Sequence, residues 1–113
     1  MTFPVLDQFG FHHVLAQTPG TALVVFTSIG CGSCRHWKQI LSAYREQYSD
    51  LAIFEVDAGR DLALAREFHV FHLPALFLFH NGEFHASLQC EAHLERLHAA
   101  IAQALDQPAQ EAP

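Results

Sequence analysis

The stretch from Ala22 to Tyr48 limits what this chain can fold into more than any other part of it. It opens with the apolar, β-branched run Ala22-Leu23-Val24-Val25-Phe26-Thr27, breaks at Gly30 and presents Cys31-Gly32-Ser33-Cys34. It then places Trp37, Ile40, Leu41, Tyr44 and Tyr48 at helical spacing. A short, continuous apolar run reads as a buried strand, and a repeat of three to four residues reads as an amphipathic helix. The two cysteines therefore open a helix directly behind a strand. Leu51 to Asp57, bounded by Ser49-Asp50 and Ala58-Gly59, reads as a second buried strand. Strand, helix and strand in that order predict a parallel crossover unit.

The flanking segments extend the unit on both sides. Phe9, Phe11, Val14 and Leu15 predict a short helix that Pro19-Gly20 ends. Asp61 to Phe68 reads as another short helix, Leu73-Pro74 interrupts the chain, and Ala75 to His80 reads as a strand. Asn81-Gly82 is the preferred type I′ hairpin dipeptide, because both of its positions need positive φ, so Glu83 to Gln89 should return antiparallel. Leu94, Leu97, Ile101 and Leu105 mark a C-terminal amphipathic helix. The predicted class is α/β, a mixed central β-sheet flanked by helices on both faces. With 113 residues the chain has room for one core, taken as residues 1–105. Residues 106–113, rich in Pro, Gln and Ala, are expected to be a disordered tail.

Charge excludes two classes of partner. The net charge is −6 with only six Lys and Arg, so no basic stripe can neutralise phosphates, and neither nucleic acid nor an anionic membrane is expected as a partner. The longest apolar runs, Ala22 to Phe26 and Leu73 to Phe79, fall far short of the roughly 20 residues that cross a bilayer. Met1 to Gly10 lacks a basic n-region and a long apolar h-region, which favours a cytoplasmic location.

The cysteines carry the chemistry. Three cannot all pair within one molecule, so a stapling framework is disfavoured. A thiolate is the nucleophile of disulfide exchange, and a cysteine at a helix N-terminus has its thiolate favoured by free N–H groups and the helix dipole. Cys31 sits at that end. Cys34, one turn further in, is spaced to attack a mixed disulfide on Cys31 and release the reduced product. A CxxC pair is also half of a zinc site, but there is no second pair, and a position between strand and helix suits redox chemistry.

Four segments, Ala22-Leu23-Val24-Val25-Phe26, Cys31-Gly32-Ser33-Cys34-Arg35, Leu73-Pro74-Ala75-Leu76-Phe77-Leu78-Phe79 and Asn81-Gly82-Glu83, resemble the thioredoxin family in order and spacing over about residues 3–105. The resemblance implies the thioredoxin fold and a thiol-disulfide oxidoreductase that reduces disulfides in protein substrates. Its only redox group would be the Cys31–Cys34 couple, without a bound cofactor or metal. An electron-donor reductase or the glutathione system would recycle it, and a monomer is expected. The resemblance further implies a cis Leu73–Pro74 bond lying against the motif, with the backbone of Leu73 offered to substrate. The groove would thus be formed by Gly30, Gly32, Ser33, Leu73 and Pro74.

The chain also departs from that family. Gly30 stands where a Trp is common, Ser33 where Pro is commonest, Gln39 where many relatives carry a kinking Pro, and Val25 where a buried Asp lies under the motif. These changes bear on electron donor, potential and proton path. An apolar valine cannot accept the proton of Cys34, which leaves Glu55, a groove histidine such as His72, or water. Ser33 and Val25 also motivate an oxidase or isomerase-like alternative. A binding module that holds zinc or a partner without turnover is the alternative from another class. Cys90 aligns with a glycine and is read as either an accessory thiol or a small packed side chain. His72, with His69 in an HxxH pattern before Pro74, is read as a groove proton donor or a solvated side chain, and not as a metal ligand. Trp37 is assigned to the core, and the other histidines are given no role.

Overall fold

The computed structural model describes residues 3–113. Its elements are α1 (Phe11–Ala16), β1 (Thr21–Thr27), α2 (Gly32–Gln47), β2 (Ala52–Asp57), α3 (Leu62–Glu67), β3 (Ala75–His80), β4 (Glu83–Leu88) and α4 (Leu94–Leu105). The four strands form one sheet in the order β2-β1-β3-β4. β1 and β2 are parallel, joined by α2, with Val25 opposite Glu55 and Thr27 opposite Asp57. β3 runs antiparallel to both β1 and β4.

The unbroken apolar run of β1 follows from burial on both faces. Leu23 and Val25 pack beneath α2 and α4 with Trp37, Leu41, Tyr44, Leu97 and Ile101. Ala22, Val24 and Phe26 face the opposite way, onto Phe11, Leu15, Leu64 and Phe68 of the α1 and α3 side. That second layer is aromatic: Phe68 lies 5.3 Å from Phe77 and 5.8 Å from Phe26 between ring centroids, within the range of favourable offset and edge contacts. The helix periodicity of residues 37–48 is thus a readout of one face, and α2 runs from Gly32 to Gln47 without interruption at Gln39.

The Asn81-Gly82 hairpin forms as expected, with φ of 51° and 82°. Asn81 is tied further to Pro19-Gly20: its N–H donates to the Gly20 carbonyl and its Oδ1 accepts from the Gly20 N–H, both at 2.8 Å. A Cβ on Gly82 would stand 2.8 Å from the Leu15 carbonyl, so the turn needs glycine for space as well as for φ.

One expectation is corrected. Phe9 is not on the buried face of α1 but lies ahead of it, 87% exposed. The reason is local: Asp7 Oδ1 accepts from the N–H groups of Phe9 and Gly10, holding a turn before the helix begins. In the segment 106–113, Gln110 contacts β4. Its N–H donates to the His85 carbonyl at 2.7 Å, and its Oε1 accepts from the Ser87 N–H at 3.1 Å, so it covers part of the β4 edge.

Candidate functional site

The site is built where β1 ends and α2 begins. Cys31 is the N-cap of α2, in an extended conformation, and its Sγ accepts a hydrogen bond from the Cys34 N–H at 3.2 Å. The side chain takes the place that Ser or Asp fills at most caps, satisfying one of the N–H groups that a helix start leaves without an intrahelical partner. Cys31 and Cys34 form a disulfide, with Cα atoms 5.2 Å apart. Their environments differ: Cys31 is half-buried at the helix end, whereas Cys34 is 2% exposed.

The rest of the predicted motif gathers around them. Gly32 and Ser33 are exposed. Ser33 Oγ lies 3.5 Å from Cys31 Sγ and donates to the Leu73 carbonyl at 3.4 Å, so a residue forty positions away is brought against the motif. The Leu73–Pro74 peptide bond is cis. Gly30, at φ +85°, has open space where a side chain would project. A larger residue there would meet backbone strain instead of a clash.

Beside the disulfide lies a groove of about 410 Å³ lined by Ile29, Gly30, both motif cysteines, Lys38 and Glu55 among others. Glu55 projects from β2 on the α2 side of the sheet, and its Oε2 accepts from Thr27 Oγ1 at 2.5 Å and from Lys38 Nζ at 3.0 Å. Its side chain is 12% exposed, against 35% for Lys38. Asp57 and Arg60 also line this groove, and Asp57 Oδ1 is engaged by the N–H groups of Gly59 and Arg60.

Two predicted residues fall elsewhere. His72 is exposed and lines a separate hollow with Phe71, Pro74 and Ser87. Cys90 is half-buried against the α2–α4 core, and burial, with a smaller contribution from Glu91, pushes its thiol above the ordinary range. Among the described residues, no three His, Cys, Asp or Glu side chains gather to hold a metal ion.

Residues 3–103 match the family model described as Thioredoxin. The chain belongs to the thioredoxin family. Thioredoxin-1 of Schizosaccharomyces pombe is 29% identical over 83 residues, which is 74% of this chain and 80% of that protein. NADPH-dependent thioredoxin reductase 3 of Arabidopsis thaliana is 30% identical over 77 residues, 67% of this chain. The chain spans only 15% of that protein and 37% of a thioredoxin domain-containing protein of Theileria parva. The fold is that of Chlamydomonas reinhardtii thioredoxin f2, with a TM-score of 0.80 and 22% identity over 96% of this chain and 100% of that one. This is therefore a thioredoxin-family domain with a CxxC pair at disulfide distance.

Within this thioredoxin-family site, Thr27 and Lys38 were not singled out from sequence. The signal for Lys38 was its spacing, since a residue four beyond Cys34 lies on the same face of α2. Ile29 and Phe71 were also passed over. They are 95% and 84% exposed, the first lining the groove of the cysteines and the second the hollow beside Pro74.

Proposed function

We propose that this chain reduces disulfides in protein substrates, with Cys31 as the attacking thiol and Cys34 as the resolving thiol. The observation that carries the reading is the asymmetry of the pair. Cys31 Sγ sits at the helix end with the Cys34 N–H pointed at it, while Cys34 is buried one turn behind. A thiolate on Cys31 is stabilised by that hydrogen bond and by the helix dipole, so Cys31 is the nucleophile available near neutral pH.

In the forward direction, Cys31 attacks one sulfur of the substrate disulfide and the other leaves as a thiolate. Cys34 then gives up its proton and attacks Cys31. The Cys31–Cys34 bond forms, the bond to substrate breaks, and two electrons have passed to the substrate. The Leu73 backbone beside Ser33 and the apolar surfaces of Ile29 and Phe71 are suited to hold an extended peptide while this happens. No cofactor beyond the two sulfurs is needed. One relative is named a bifunctional thioredoxin reductase/thioredoxin and another an NADPH-dependent thioredoxin reductase, which supports a reductase as electron donor, with glutathione as the alternative donor.

One observation favours a more oxidising couple. Ser33 Oγ lies 3.5 Å from Cys31 Sγ, and its single proton, given to the Leu73 carbonyl in the disulfide form, can turn to a Cys31 thiolate on reduction. Stabilising the thiolate stabilises the reduced form and raises the potential.

The test is trapping. Cys34→Ser is expected to accumulate a mixed disulfide with reduced-and-reoxidised insulin through Cys31, read by mass spectrometry, whereas Cys31→Ser forms none. Trapping through Cys34 or Cys90 would defeat the assignment. Equilibration of the wild-type couple against glutathione then places it on the reducing or the oxidising side.

A further inference from the structure

We propose that Glu55 takes the proton that Cys34 loses in the resolving step, held for that task by Thr27 and Lys38. The inference rests on the exchange chemistry above and names a residue of the same site.

The need arises inside the protein. Cys34 is 2% exposed, and burial disfavours the thiolate. Val25, on the strand beneath it, is fully buried and has no atom that accepts a proton. Its partner across the β1–β2 ladder is Glu55, so the two side chains lie on the same face of the sheet on adjacent strands. Ile53, two residues earlier on that face, packs in the α2–α4 core. The face therefore changes from apolar to polar at the carboxyl ends of the two parallel strands, where Thr27 and Glu55 stand beneath Lys38 of α2.

Of the three acceptors open at the level of sequence, the groove separates two. His72 lies in another hollow, while Glu55 lines the same groove as both sulfurs. The charged groups facing Glu55 there are Lys38 and Arg35 from α2, Asp57 from β2 and Arg60 from the loop that follows. No histidine is among its lining residues. Asp57 is the rival acid and, with only its Oδ1 engaged at Gly59 and Arg60, also keeps a free oxygen, but it pairs with Thr27, two residues further along the ladder from Val25, whereas Glu55 pairs with Val25 itself. Both side-chain bonds of Glu55 fall on Oε2, and a carboxylate offers about four lone-pair sites, so capacity for a proton remains. Lys38 Nζ stands 3.0 Å from Oε2 as the counter-charge of the carboxylate. The proton crosses the groove directly or through one water, as positioned bases commonly work. Cys34 Sγ loses H⁺ to the carboxylate and bonds to Cys31 Sγ. The substrate sulfur departs with the electron pair and is protonated by solvent.

The experiment uses the reduced full chain and dithiobis(nitrobenzoate), followed by stopped flow. With one equivalent of reagent per chain, the first thionitrobenzoate released reports attack by Cys31 and the second reports resolution by Cys34, while Cys90, its thiol pushed up by burial, is left unreacted. In the wild type the second phase should vary little from mildly acidic to mildly alkaline pH. In Glu55→Gln, which keeps an oxygen for Thr27, the second phase should slow by about tenfold to a hundredfold at neutral pH. It should then rise by about tenfold per pH unit, as expected when solvent must ionise the thiol. The first phase should keep its rate, and Glu55→Asp should recover part of the second. Lys38→Met retains the acid without its counter-charge, and its second phase should fall at the mildly acidic end, which keeps the idea testable if Glu55→Gln does not fold. An unchanged second phase in Glu55→Gln, an unchanged pH profile in Lys38→Met, or slowing only in Asp57→Asn would overturn the assignment. Absence of both releases from the wild type would instead remove the exchange chemistry itself.

Discussion

Reduction of the Cys31–Cys34 disulfide frees two thiols beside that of Cys90, and the structure ranks the three. On Cys31 two effects favour the thiolate: the helix N-terminus, worth about 0.3 to 1 kcal/mol, and the Cys34 N–H, worth about 1.5 to 3 kcal/mol as a hydrogen bond to a charged group. At 3.2 Å and half-buried, the lower half of that combined range applies, about 2 to 3 kcal/mol. At 1.36 kcal/mol per tenfold, this gives roughly 30 to 150 times more thiolate than a free cysteine at a pH where both are mostly protonated. Nucleophilicity falls as basicity falls, with a Brønsted slope of about 0.4 to 0.5, so a net gain in rate of roughly tenfold survives. Cys34 lacks access at 2% exposure. Cys90 is disfavoured because burial and Glu91 push its thiol up, which shrinks its thiolate fraction at every pH below its own midpoint. The assay is limiting iodoacetamide on the reduced protein at mildly acidic pH, with peptide mapping. Cys31 should carry most of the label, and Cys90 should begin to label only as the pH rises. If Cys34 or Cys90 is labelled first, the reasoning from cap geometry to nucleophile is wrong.

Three further outcomes follow from named contacts. Ser33→Ala removes the hydroxyl 3.5 Å from Cys31 Sγ, so the reduced form should lose stabilisation and the couple should become more reducing. At about 30 mV per 1.4 kcal/mol a long, exposed bond predicts a shift of up to about 20 mV in glutathione equilibration, and a shift toward oxidation would contradict it. Gly82→Ala should lower stability by about 2 to 3 kcal/mol in urea unfolding, combining a left-handed φ with a Cβ 2.8 Å from the Leu15 carbonyl. A loss within the error of the measurement would show that the hairpin and α1 separate easily. Leu41→Ala, at a fully buried position between α2 and the sheet, should cost about 2 to 5 kcal/mol while leaving the order of cysteine labelling unchanged. A changed labelling order would mean that the start of α2 depends on packing two turns away.

Elements whose partners are near in sequence, or whose period is strict, were legible in advance. Residues 37–48 repeat at helical spacing because one face of α2 meets Leu23 and Val25. Asn81-Gly82 specifies its turn by backbone conformation alone. The cysteines were placed at a helix start by the strand ahead of them and the periodic face behind. What could not be read depended on distant contacts or on backbone groups. Thr27, Lys38 and Glu55 meet only because β1, α2 and β2 close one crossover, and Lys38 alone looks like any solvated helix residue. One trace existed: Leu51 to Asp57 alternates imperfectly because Glu55 occupies a position that the ladder turns toward α2. The anchoring of Gln110 on β4 uses an N–H and an amide oxygen, which leave no apolar pattern to detect. The turn at Asp7 likewise displaced Phe9 through a single carboxylate oxygen.

The position of Glu55 has a bearing on why a charge is kept there at all. Its neighbours on the α2 side of the sheet, Val25 and Ile53, belong to an apolar core that extends under α2 without help from polar groups. A partly exposed ion pair contributes about 0 to 1 kcal/mol, and replacing a buried pair by apolar residues of similar volume is often neutral or stabilising. The Lys38–Glu55 pair, intermediate between these cases, is therefore not required by the stability of the sheet. A leucine and a methionine would cover the same surface. They would also close the polar end of the groove beside Cys31 and Cys34 and leave no acid among its lining residues except Asp57, one oxygen of which is engaged by the following turn. In a member of this family with valine at position 25, the carboxylate on the adjacent strand is the group whose removal the fold would tolerate and the resolving step would not.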